Sequence, residues 1–481
     1  MAYVNKSSLR DEFAHLKAEF ERLSAAGKVT PEMRILVNAL LMLFEMMMAV
    51  FLEKMTPKTS KNSSRPSSQM DKPDTSSLAG THTKGLAGED RRFANSRTIE
   101  TVEIASVATC ACCGEDLRTV RSTAPERRTR IDLVFEKVLT HIDAEIKTCP
   151  HCASVSKGEF PPDLAGPVQY GLGVKAYVLN LLVTQMVSLN RVQRLLEALI
   201  GEALSEATLL KYVWLLHEAL ARWERTSIER LVQAPALHAD ETSVRVEKRN
   251  YWVHVYSAGA ITLKFVHPKR GTEAIEAIGI IPRYGGVTVH DCWASYLSYT
   301  HCGHGLCGAH LLRELTFIHE ANGYAWAANM KRLLRESCAT VSRRESRMLT
   351  QPEYANLQKR YRTILTSASK ELPPIPERVS GKRGRIAKSD AHNLWERLRD
   401  HEAAVLMFAR RAEVAFTNNR AERDLRMGKV KQKISGCFRQ ARYAEAYCRI
   451  SSYLQSMAYQ GVNPLLAIQL ALSGELYARE G

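Results

Sequence analysis

The sequence predicts a multidomain α+β protein, and three observations carry that expectation. The chain has 481 residues, about three domains' worth at roughly 150 residues each. Its apolar residues recur at helical spacing on both sides of a stretch, beginning at Ala236, where the period drops to two. Between Thr56 and Ser96 the composition turns abruptly to Ser, Thr, Lys and Pro, which separates an N-terminal segment from everything after it. With 45% hydrophobic and 25% charged residues, the remainder has enough apolar material to bury sizeable cores.

Residues 1–55 read as a helical or coiled-coil segment. Leu9, Phe13, Leu16, Phe20 and Leu23 follow the 4, 3, 4, 3 spacing of a coiled-coil seam. Gly27 ends that helix, and Thr30 with Pro31 supplies an N-cap and a first-turn proline for the next. Ile35 to Leu52 is apolar enough to raise the question of a membrane span. Asn38 and Glu45 sit inside it, and a central acidic side chain costs about 2.5–3.5 kcal/mol on insertion scales. Two readings stand, a self-association hairpin and amphipathic helices packed on their own domain; neither requires a membrane. Residues 56–99 follow as a disordered linker.

Residues 100–157 form a module bounded by cysteines. Cys110-x2-Cys113 and Cys149-x2-Cys152 are two CxxC knuckles, the arrangement in which four thiolates close around one structural Zn²⁺ and leave no open position for water. Cys112 and His151 lie between the paired ligands and are substitutes if the register is shifted. The alternative is four buried structural cysteines without metal. The intervening runs TRIDLVF and KVLTHIDAEIK read as a strand pair that brings the knuckles together. Met1 to Arg10 is polar and offers no signal-peptide core, so a reducing cytoplasm suits these cysteines better than a disulfide framework. Residues 158–232 are helical by periodicity, with Ser205 as a cap.

From 233 to 440 an α/β layer is expected. LHADETSVRV, YWVHVYSA and ITLKFVHP are strand-like, GTEAIEAIG is a short helix, and GGVTVHD is a buried strand. After Asp291 the pattern is helical for over a hundred residues, giving a helical insertion at about 317–390, broken by the basic run SGKRGRIAKSD; helices close the chain over 441–481. Asp240 shares a strand face with His238 and Thr242, while Glu241 points to the other side. Asp291 ends a strand with Val287 and Val289 on its own side. Both aspartates are thus expected at or near strand ends. In the run TNNRAERDLRMGKVKQK, a helix places Asn418, Glu422 and Arg426 on one face and Asp424 about 200° round from Glu422. Three converging carboxylates are hard oxygen ligands for two Mg²⁺ ions, the apparatus of in-line displacement at phosphorus.

The charge balance points the same way. The chain has 67 Lys+Arg against 51 Asp+Glu, a net +16, which favours a polyanionic partner over a small neutral metabolite. Residues 381–440 hold 15 basic and 7 acidic side chains, a net +8, so half the excess lies beside Glu422. Arg420, Arg423, Arg426, Lys429, Lys431 and Lys433 make a candidate phosphate-backbone track.

At these residues the chain resembles the transposases of the IS66 family. The matching runs are HADETSVRV with WVHVYS, VHDCWASY, HGLCGAHLLREL, and NNRAERDLRMGKVKQKISGCFR, together with KNSSRPSS and the two CxxC knuckles. The resemblance implies an RNase H-like core of the DDE class with a helical insertion, preceded by the zinc-binding module. It places the acidic trio on Asp240, Asp291 and Glu422. It implies Mg²⁺ (two ions, or Mn²⁺) as cofactor, and cleavage at element ends with joining of the 3′-hydroxyl to target DNA. The partners implied are the terminal inverted repeats and target DNA as double strands, the helical region 158–232 binding the ends. A second copy of the chain, small accessory proteins of the same element and a bacterial, nucleoid-associated setting complete the expectation. Ser243 and Thr417 depart from the residues frequent at their positions, and neither is a metal ligand. Cys307-x2-His310 belongs to the same pattern, either as support for the site or as a further metal pair. Two other readings use the same residues: a DNA-binding regulator without catalysis, and a plain RNase H-like nuclease.

Overall fold

A computed structural model describes residues 6–56, 58–59, 62, 99–122, 126–164, 166–375 and 388–475. Most of the expected linker at 56–99, the run KNSSRPSS and most of the basic run SGKRGRIAKSD lie outside the described residues. The described chain is mixed α+β with a helical majority, and it divides into two compact units. One comprises residues 1–84 and 225–439, the other 85–224 and 440–481.

The first unit opens with helices α1 (Lys6–Ala25) and α2 (Pro31–Met55). Thr30 caps α2 by accepting from the Met33 amide, and Pro31 occupies its first turn. The seam of α1 meets α2: Phe13 stacks on Phe44 at 5.1 Å, and Lys17 pairs with Glu45 at 2.7 Å. Further along α2, Met48, Ala49 and Leu52 are buried. Glu53 accepts from the amides of Asp390 and Ala391, the start of another helix of the same unit. Helix α2 is long and apolar enough to cross a bilayer, yet its two inner carboxylates are committed to protein partners.

A five-stranded mixed sheet forms the centre of this unit. Its strands are β1 (Ala236–Val246), β2 (Arg249–Ala258), β3 (Ile261–His267), β4 (Val287–His290) and β5 (Gly303–Leu306). Across the sheet the order is β3-β2-β1-β4-β5, with β1, β2 and β3 an antiparallel meander and β4 and β5 parallel to β1. The β1–β2 turn is made by Glu247 and Lys248, both left-handed, as a tight two-residue hairpin requires. Helix α3 (Thr272–Ile278) provides the crossover from β3 to β4.

Strand β5 corrects the expectation that the chain is helical from Asp291 onward. Its glycines hide it from strand propensity. The space around them is tight: a Cβ at Gly305 would sit 3.1 Å from Val414 and 3.3 Å from Val289, and one at Gly303 would sit 3.1 Å from Val287.

Helices α4 (Gly308–Asn322), α5 (Ala325–Arg343), α6 (Gln351–Glu371) and α7 (Asp390–Asp400) then pack against one face of β4 and β5. Val287, Val289 and Leu306 share a core there with Leu315, Trp326, Leu334, Tyr361 and Leu398. Each such side chain contributes about 1.5–3 kcal/mol through burial. Helix α8 (Asn419–Ser435) closes the sheet on the β1–β2 side.

The second unit is helical over Leu172–Leu179, Leu189–Ile200 and Glu206–Ala219, joined by Ala441–Tyr459 and Pro464–Ser473. Within it Trp223 meets Tyr453 edge-on at 5.2 Å, and Arg449 holds Glu224 at 2.8 Å. The cysteine-bounded segment carries little regular structure. The expected strand pair TRIDLVF and KVLTHIDAEIK does not form. Instead Ile146–Thr148 pairs with Val155–Lys157 across the second knuckle. Ile131, Leu133, Val134 and Val138 remain exposed, so the alternation that suggests a strand has no partner sheet to bury it.

Candidate functional site

Asp240 lies in the middle of β1, not at its end as expected. Asp291 follows the last residue of β4. The parallel register nevertheless levels them. His238 is opposite Val289, so two residues further along each strand Asp240 and Asp291 are neighbours on one face. Strand β4 stops at His290, and the charge of Asp291 just beyond it is felt at Asp240.

Backbone amides orient both groups. Asp240 Oδ1 accepts from the Glu241 amide at 2.8 Å, and Asp291 Oδ1 accepts from the Trp293 amide at 3.1 Å. The second contact is a tight local turn in which Cys292 adopts a left-handed φ of 73°. Burial pushes the Asp240 carboxyl well above the usual range, and the negative charges of Glu241, Asp291 and Glu422 push it in the same direction.

Glu422 comes from the first turn of α8, and that helix is laid along β1 by three anchors. Asn418, fully buried at its start, donates from Nδ2 to Ala239 O at 2.8 Å and accepts from His238 Nδ1 at 3.0 Å. Lys429 donates to Ser243 O at 3.2 Å. Beyond the helix, Phe438 exchanges backbone hydrogen bonds with Arg245 and Glu247. Asp424 faces away from Glu422, as the helical spacing predicts. It is fully buried and accepts from Ser257 and Thr262 at 2.7 Å each and from Arg420 at 3.0 Å.

Arg420 therefore differs from the expected phosphate contact. Its guanidinium also donates to Gly259 O at 2.8 Å and is absorbed into the β2–β3 turn. Arg423, Arg426 and Lys433 are exposed, while Lys429 and Lys431 are half-buried, with their ammonium groups made less basic by burial. Among the basic track, the exposed three are those that reach solvent.

The half-buried Glu422 carboxylate has its own surroundings. Its Oε1 lies 4.0 Å from Cys307 Sγ, 3.5 Å from His310 Nδ1 and 3.9 Å from Arg313. Cys307 is the N-cap of α4, and His310 lies in its first turn. Among the described residues, Cys307, His310 and Glu422 are the one group of three or more potential metal ligands with ligand atoms within 4.8 Å of one another.

The two CxxC knuckles do not gather into such a group. Each forms separately: Gly114 N bonds Cys110 O, and Ala153 N bonds Cys149 O, both at 2.9 Å. Cys110 also receives hydrogen bonds from Cys113 and nearby amides, which lower its thiol pKa, and Cys152 is lowered by Ser154 and Cys149.

Several residues around the site carry no signal in the sequence. Glu241, behind Asp240, is tied by Arg270 (Nε at 2.8 Å, Nη2 at 2.6 Å) and by the Tyr296 hydroxyl at 2.9 Å. Burial, then Asp291, raises its carboxyl to about 7 against the pull of Arg270. Arg270 is itself held between Trp252 and Trp293 at 4.9 and 4.3 Å, so Trp293 stacks on a cation of its own chain. Arg397 of α7 pairs with Glu314 at 2.7 Å, and its charge is felt at Cys292 and Asp291. These partners lie far apart in the chain, and no local spacing announces them.

The sequence profile of the family described as Transposase IS66 family matches residues 167–446. No curated protein matches the chain.

Proposed function

The chain belongs to the IS66 family of transposases, and from that premise we propose that it cuts DNA at the ends of an insertion sequence and joins the freed 3′-hydroxyl to target DNA, using Asp240, Asp291 and Glu422. The observation that carries this reading is the levelling of Asp240 with Asp291 on adjacent parallel strands, with Glu422 across from them on α8 and its charge felt at Asp240. A sheet ordered β3-β2-β1-β4-β5, with an antiparallel meander on one side and parallel strands on the other, supports an RNase H-like core.

The residues present fit divalent cations. All three are hard oxygen donors, and Asp240 is raised partly by neighbouring negative charge that its own surroundings leave uncompensated. A bound pair of Mg²⁺ ions supplies activation of the attacking oxygen and charge neutralisation at phosphorus. The protein's share is positioning. The Glu241 and Trp293 amides fix the two aspartates in rotation. The Asn418 anchor fixes the start of α8, and with it Glu422. Exposed Arg423, Arg426 and Lys433 hold the phosphate backbone beside the carboxylates. The zinc-binding role of Cys110, Cys113, Cys149 and Cys152 belongs to the same proposal: each knuckle is folded locally, and a shared ion draws the two together.

Incubating the full chain with labelled element ends, Mg²⁺ and a second DNA tests the reading. Strand-transfer products are expected, and they are expected to vanish in Asp240→Asn with DNA binding retained. Cleavage without joining selects a nuclease, and joining by Asp240→Asn removes that residue from the chemistry.

A further inference from the structure

We infer that Cys307, His310 and Glu422 form a separate site for one soft transition-metal ion of the Zn²⁺ class, and that an ion held there withdraws Glu422 from Asp240 and Asp291. The withdrawal rests on the proposed function; the ion site does not. His310 Nδ1 is buried and has no hydrogen-bond partner, an expensive state for an imidazole nitrogen unless it serves as a ligand. It lies 3.5 Å from Glu422 Oε1, without the geometry of a hydrogen bond.

The sulfur is prepared as well. Cys307 is 1% exposed, and its Sγ accepts the Asn418 amide at 3.1 Å. The spacing is also close to what a tetrahedral ion needs. With Zn–S about 2.3 Å and Zn–N or Zn–O about 2.0–2.1 Å, the ligand atoms stand roughly 3.3–3.5 Å apart. The observed separations from Glu422 Oε1 are 4.0 Å to sulfur and 3.5 Å to nitrogen, and the three ligand atoms all lie within 4.8 Å of one another. Sulfur and imidazole exclude Mg²⁺ as the preferred occupant. On binding, the Cys307 thiol gives its proton to solvent, three protein ligands are engaged, and one position stays open.

The test is titration of the metal-free full chain with Co²⁺, read by thiolate-to-cobalt absorption, in parallel with Cys307→Ser, His310→Gln and Asp240→Asn. All these proteins keep the four knuckle cysteines, so their contribution cancels in the difference. Wild type is expected to bind one equivalent more than Cys307→Ser, whose hydroxyl can still accept the Asn418 amide and so preserves the fold. His310→Gln is expected to lose at least about tenfold in affinity for that equivalent. Asp240→Asn is expected to bind like wild type even though it does not join DNA, which separates this site from the catalytic reading. Identical spectra and stoichiometry in wild type and Cys307→Ser overturn the site. Zn²⁺ added at one equivalent over the knuckles is expected to suppress joining in Mg²⁺; Zn²⁺ bound at Cys307 with joining unchanged overturns the withdrawal.

Discussion

The sheet unit and the cysteine-bounded segment of the other unit solve the same problem in opposite ways. In the sheet, two aspartates are levelled by strand register, backed by a core of large apolar side chains, and oriented by backbone amides before any ligand arrives. In residues 99–164 each pair of cysteines is shaped only by its own turn, and the apolar residues between them are exposed. The contrast shows what packing contributes. Long-range convergence needs a packed scaffold, whereas a local knuckle needs only a tight turn.

The sharpest way to break this comparison is Asp240→Asn, expected to reduce end joining to background while leaving the thermal unfolding of the sheet unit unchanged or slightly stabilised, because it removes a carboxylate crowded by like charge. Loss of folding would mean that the carboxylate is structural. Next in size, Asp424→Ala is expected to cost roughly 3 kcal/mol by chemical denaturation, since Arg420, Ser257 and Thr262 lose a shared buried acceptor. Glu422→Gln, two residues away, is expected to leave stability nearly intact and to remove joining. A reversed order of stabilities would show that Glu422, not Asp424, holds the helix down.

Chelation or Cys149→Ser is expected to abolish protease resistance of residues 99–164 while the sheet unit's unfolding midpoint stays put. Equal loss in both would erase the distinction between them. The smallest effect concerns acid. Burial lowers His290 to about 3 and His254 to about 4, from an ordinary 6.5. The unfolded chain therefore binds protons that the folded sheet refuses, so stability is full above pH 6.5 and is lost as the pH falls toward 4. Replacing His290 with Gln is expected to flatten that slope in a pH series of melts; an unchanged slope assigns the acid sensitivity elsewhere.

Much of the sheet was legible because alternation marks a strand wherever one face is buried, and β1 to β4 all alternate or run apolar. Strand β5 was not, because close packing by Val287, Val289 and Val414 selects glycine there and erases the signal. The carboxylate faces followed from period: Asp240 opposite Glu241, and Glu422 opposite Asp424. What spacing does not encode is consumption. Arg420 reads as a phosphate contact until Asp424 and Gly259 claim it. The run from Ile131 to Val138 shows the converse error, since alternation without a neighbouring strand leaves an extended exposed chain.

Asn418 ties together three stretches that synthesis separates widely: His238 and Ala239 on the strand of the first aspartate, Cys307 at the head of the following helical region, and the helix that bears Glu422. A polypeptide still emerging from the ribosome exposes both aspartates long before that knot can be tied. Translation itself thus delays the moment at which the Glu422 helix of a newly made molecule can be fastened beside the two aspartates.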